Sequence, residues 1–134
     1  MSHTETSALQ IAVPIASMVP IIAGGAGVAL GPAMLGAESG AAADLDGHYR
    51  YLSGLLLGIG VAFAATVPQI AAHQRRFGLL TVLVVTGGVG RLISLVEVGA
   101  PSPVMMAALA MELVVAPGLA VWQRRVARLA VRIP

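Results

Sequence analysis

The chain of 134 residues is 57% hydrophobic and only 10% charged, against roughly 25% charged for an ordinary soluble domain. That leaves too little polar surface for a water-soluble fold of this size. Eight basic residues, all arginine, against six acidic ones give a formal net charge of +2, but no aromatic-interleaved basic patch accompanies them, which argues against nucleic acid as a partner. The absence of cysteine excludes disulfides, thiol nucleophiles and thiolate-ligated metal or haem sites.

In chain order, residues 8–30 form the first apolar run, long enough for the about 20 residues that a hydrocarbon core requires. They lack a basic leading region and exceed the usual ~7–15 apolar residues of a signal peptide, so they read as a membrane span. Pro14 and Pro20 predict a bent or locally loosened helix, because each removes a backbone donor and crowds the preceding turn. "GPAMLGAESGAAADLDGHYR", residues 31–50, reads as a loop outside the bilayer. A second span covers 52–72 and gives way, after Pro68, to the basic turn "HQRRF"; a third covers 77–98. "GAPSP", residues 99–103, makes a tight turn into the fourth span, 104–122.

The tail, residues 123–134, spaces Val126, Leu129, Ala130 and Ile133 at i, i+3, i+4 and i+7, while Arg124, Arg125, Arg128 and Arg132 take the remaining faces. This predicts a short amphipathic helix lying in the membrane interface, touching lipid or a partner, with Trp122 as its anchor. The fold class read from the sequence is therefore all-α: a four-helix transmembrane bundle with a short amphipathic C-terminal interfacial helix, in one membrane domain. Arg75, Arg76, Arg124, Arg125, Arg128 and Arg132 gather on the side of the two termini, and Arg50 alone lies in the loops opposite. The positive-inside rule then expects both termini in the cytoplasm, with Glu38, Asp44 and Asp46 facing outward.

Arg91 and Glu112 interrupt the third and fourth spans. Arg91 lies 14 residues beyond Phe77, which sets it about 10 Å below the outer end of its span; Glu112, nine residues beyond Pro103, lies about 13 Å in from the same end. The matching depths predict an intramembrane ion pair, because an arginine in hydrocarbon is costly without a partner. Two readings fit this pair: a salt bridge that fixes helix register, or a site where Glu112 exchanges a proton or cation.

At the outer interface Asp46, His48, Arg50 and Glu97 form a polar cluster, in which Arg50 is expected to meet Glu97; no set of metal ligands is apparent in it. Small residues at helical spacing suit close helix contact in lipid: Gly27 with Gly31, Gly54 with Gly58, and Gly90 with Ser94, while Gly87 and Gly88 leave room beside Arg91. They serve packing within the chain or an interface with another one. No Ser-His-Asp set, phosphate-binding glycine loop or histidine cluster appears, so no enzyme and no cofactor is expected.

The order of "HYRYLSGLLLG", "GGVGRLISL", "GAPSP" and "MELVVAP" resembles the small four-helix bacterial membrane proteins grouped as domain of unknown function 4345. The resemblance rests on Arg50, Gly54, Gly88, Arg91, Pro101 and Glu112 and extends over roughly residues 8–122. It implies four helices in the bacterial inner membrane and carries no established activity. Small size, short loops and glycine-rich faces lead to the expectation of a non-enzymatic accessory or scaffolding subunit of a larger membrane complex. The alternative is a small oligomeric transporter or a binder of a lipophilic small molecule, built around Arg91 and Glu112.

Overall fold

The structure, a computed structural model, describes residues 2–36 and 43–131; Glu38, Arg132 and Ile133 lie outside them. The described residues are helical with no strand: α1 (Ser2–Leu30), α2 (Ala43–Ala64), α3 (Gln74–Val98), α4 (Pro103–Ala110) and α5 (Ala116–Val131), with 3-10 turns at Gly31–Leu35 and Val67–Gln69. A π turn, Met111–Val115, joins α4 to α5. Four helical stretches are long and apolar enough to cross a membrane: Thr4–Leu35, Ala43–Gln69, Gln74–Val98 and Pro103–Ala130. Large apolar side chains stay exposed along all of them, among them Ile15, Leu55, Leu79, Val96 and Val121, which suits lipid as the surrounding solvent and would be an aggregation hazard in water.

Helix α1 remains helical through Pro14 and Pro20. It stops where Gly31 takes a left-handed φ of 61° and Pro32 follows, a combination that ends a helix because neither residue can continue it. The stretch read as a loop from 31 to 50 is helical from Ala43 onward, so α2 begins well before the expected start at 52. Asp44 and Asp46 occupy its first turn, where negative charge offsets the exposed N–H groups and the helix dipole. Its far end comes earlier than expected, at Ala64, and Pro68 falls in the 3-10 turn that follows. The residue before a proline avoids the α conformation, which favours a break at this point.

The chain divides into two compact units, Ala12–Val67 and a second made of Met1–Ile11 with Pro68–Pro134. In the first, α1 and α2 meet backbone to backbone through glycines. A Cβ on Gly24 would lie 2.5 Å from the Leu57 amide nitrogen and 2.7 Å from the Ser53 carbonyl oxygen, and one on Gly60 would lie 2.8 Å from an Ile21 side-chain carbon. Such proximity is the usual source of helix association in lipid, where dispersion contacts replace the hydrophobic drive.

In the second unit α5 and the π turn pack against α3. Leu9, Ile70, Phe77, Gln123, Val126 and Ala127 are buried there, and Gln123 Nε2 donates to the Ile70 carbonyl at 2.7 Å. Glu5 and Arg125 form an ion pair at 2.9 Å. The start of α1, the α2–α3 connection and the end of α5 therefore share one end of this unit. The tail is helical, as its spacing predicts, and continues the fourth span without a break. Its side bearing Gln123, Val126 and Ala127 is buried, so Val126 faces protein while Ala130 is exposed.

Candidate functional site

The turn from Gly99 to Ser102 reverses the chain. Gly99 has a φ of 112°, and Ser102 caps α4 by accepting from the Met105 amide at 3.4 Å, with Pro103 in the first turn, where a missing N–H costs nothing. The α3–α4 reversal brings Arg91 and Glu112 to the same level. Arg91 Nε donates to Glu112 Oε1 at 3.0 Å, and Nη1 donates to the Met105 thioether at 2.9 Å. The two side chains are unequally enclosed, 37% exposed for Arg91 and 14% for Glu112. Glu112 Oε2 is buried and has no hydrogen-bond partner among the described residues.

Gly88 makes the approach possible. A Cβ there would sit 2.7 Å from a Leu113 methyl and 2.9 Å from Glu112 Cβ, so any larger residue would drive the third and fourth spans apart at the level of the ion pair. Glu112 itself lies in the π turn, where the Ala116 N–H reaches back five residues to the Met111 carbonyl. Pro117 explains this widening. It offers no N–H to the Leu113 carbonyl, and its ring crowds that carbonyl, so the turn before it opens. The sequence carried this signal in "MELVVAP", as a proline five residues after the acid. Met105, by contrast, had no signal beyond its apolar character.

The other small residues separate by face. Gly54 touches a Val28 methyl at 3.8 Å from where its Cβ would be, while Gly58, Gly87 and Gly90 would meet nothing within 4 Å and Ser94 is exposed. Among the described residues of their own units, no neighbouring helix therefore stands against Gly58, Gly87 or Gly90. Gly87, Gly90 and Ser94 follow i, i+3, i+7 spacing on a side of α3 different from that of Gly88. The close glycines missed by the pairing of small residues are Gly24 and Gly60, whose partners are backbone atoms and side chains of the facing helix.

In the polar cluster expected at the outer interface, Arg50 has Asp46 as a carboxylate partner; the sequence suggested Glu97. Arg50 Nε donates to Asp46 Oδ2 at 2.7 Å, four residues back on α2, and Nη1 donates to the Val28 and Ala29 carbonyls at 2.5 and 3.0 Å. Because the helix begins at Ala43, Asp46 and Arg50 share a face and the guanidinium closes the C-terminal end of α1, whose last carbonyls lack helical partners. Gly31 is held there on two counts, its positive φ and the 2.7 Å that would separate its Cβ from Asp46 Oδ1. His48, two residues from either, is exposed, as is Glu97 near the end of α3.

At the end where Glu5 and Arg125 pair, Arg75, Arg76, Arg124 and Arg128 are exposed and Trp122 is half-buried. An open groove runs between Val121, Arg124, Arg125, Arg128 and Leu129.

No curated protein and no solved structure matches the chain. A family match covers residues 8–123, from the second turn of α1 through Gln123, and so includes Arg50, Gly88, Arg91, Pro117 and Glu112. The chain belongs to the family described as domain of unknown function DUF4345.

Proposed function

We propose that this chain is a non-enzymatic, multi-pass protein of a bacterial inner membrane that serves as an accessory or scaffolding subunit of a larger membrane assembly. The observation that carries this reading is the small-residue face of α3. Gly87 and Gly90 have open space where a side chain would be, and Ser94 is exposed on the same side, so the closest-approach surface of that helix is left unused by the helices of its own unit. The arginine-rich end supports cytoplasmic termini. The Glu5–Arg125 ion pair keeps the start of α1 and the end of α5 on one and the same side.

Copurification in gentle detergent tests the reading. The expected result is a stoichiometric foreign membrane subunit that is lost from the Gly87→Leu/Gly90→Leu variant, while the variant itself melts as the parent does. Retention of that subunit by the variant would remove the α3 face as the contact.

A second reading, a small oligomeric transporter or binder of a lipophilic molecule, draws on Glu112. Its buried Oε2 has no hydrogen-bond partner among the described residues, and it sits in a π turn, a local geometry frequent at functional sites. A homo-oligomer whose melting temperature rises with an added ligand, and no longer does so in Glu112→Gln, would favour that reading.

A further inference from the structure

The fourth span is longer than a membrane needs. Its 28 residues, Pro103–Ala130, cover about 42 Å as helix, whereas a hydrocarbon core is about 30 Å thick. With residues 104–121 in the core, Glu112 paired among them, Trp122 falls at the boundary, and Arg124, Arg125 and Arg128 lie about 3–9 Å beyond it, at headgroup level.

These arginines share a helix face with Gly118 and Val121, at offsets of three and four residues. The opposite face, Gln123, Val126 and Ala127, is buried in the protein. The basic face is therefore the one turned away from that buried side, and its groove is lined by Val121, Arg124, Arg125, Arg128 and Leu129. Arg125 has its carboxylate in Glu5. Arg124 and Arg128, one turn apart, have no carboxylate partner among the described residues, and two like charges at that spacing repel unless an anion bridges them. Toward the core the same face turns apolar: Val121 is 68% exposed, and Gly118 has nothing within 4 Å of where a Cβ would stand.

We infer that this groove binds one anionic phospholipid, its phosphate bridging Arg124 and Arg128 and an acyl chain lying along Val121 and Gly118. The inference rests on the reading of the chain as membrane-spanning. An acidic protein segment would use the arginines equally well, but it would have no use for an apolar furrow running from them into the bilayer.

The test uses the full chain purified in non-ionic detergent, with binding read by native mass spectrometry and by melting temperature. Phosphatidylglycerol should bind about tenfold or more tightly than phosphatidylcholine, and Arg124→Gln/Arg128→Gln should lose about tenfold to thirtyfold of that affinity. Gly118→Leu, which fills the furrow, should weaken it severalfold, while Arg75→Gln/Arg76→Gln should leave it intact. Arg125 is kept in every variant because of Glu5. Equal binding of phosphatidylglycerol by the Arg124/Arg128 variant and the parent would overturn the site, and so would its displacement by millimolar inorganic phosphate, which would mark a small-anion site instead. Failure of the spanning reading shows separately, as release of the chain from membranes by alkaline carbonate.

Discussion

Gln123 on α5 donates its side-chain amide to the carbonyl of Ile70, 2.7 Å away, and each residue is only 1% exposed. The carbonyl lies in the irregular stretch between α2 and α3, past the end of the regular ladder, and a buried carbonyl there has no water to turn to. Gln123→Leu keeps the volume but strands that carbonyl, and should cost about 1–3 kcal/mol in thermal melting. Melting within error of the parent would mean that the connection finds another donor.

The unequal enclosure of Arg91 and Glu112 makes an asymmetric prediction. Arg91→Met strands a largely buried carboxylate and should cost about 3–5 kcal/mol. Glu112→Leu leaves an arginine that is partly exposed and long enough to reach toward the nearer interface, so it should cost less. The double substitution should be milder than the sum. Additive losses in detergent melting would show that the two do not interact.

Adjacent glycines on α1 should respond in opposite ways. Gly24→Ala places a methyl against the Leu57 and Ser53 backbone, which cannot move aside as a side-chain tip can, and should destabilise by about 1–3 kcal/mol or more. Gly25 has nothing within 4 Å, so Gly25→Ala should be neutral or stabilise by up to about 1 kcal/mol through helix propensity. Equal melting temperatures for the two variants would contradict the close crossing of α1 and α2.

Topology is open to direct labelling, because the chain has no cysteine of its own. A cysteine at Ser102, in the turn before α4, should react in intact cells with an impermeant thiol reagent, and one at Gln74, the first residue of α3, should react only after permeabilisation. The reverse pattern would turn the protein over in the membrane.

The four spans were legible because about 20 uncharged apolar residues in a row have few other uses. The meeting of Arg91 with Glu112 was legible as well, since counting residues from a short turn fixes depth on both helices. The Asp46 partner of Arg50 went unseen for a related reason: reading residues 31–50 as loop concealed their i, i+4 relation, which exists only once the helix starts at Ala43. Glycine spacing named helix faces but could not say which way they look. Gly88 faces Glu112 and Leu113 while Gly87 and Gly90 have open space beside them, a difference decided by where the fourth span crosses α3. Gln123 and Ile70, polar and apolar residues 53 positions apart, gave no local sign of each other.

The ion pair between Glu5 and Arg125 joins positions 120 residues apart, and it sets an order of events during synthesis. The first turns of α1 leave the ribosome before α2 to α5, yet they belong to a unit whose remaining residues begin at Pro68. At common elongation rates the wait for Arg125 is on the order of 10 s. Throughout that interval Glu5 and the otherwise buried Leu9 are without the helix that completes their surroundings, while residues 12–67 already have theirs. Helix α1, made before the other four, is thus completed only with α5, and a chain cut short before α5 leaves the start of α1 without its partner.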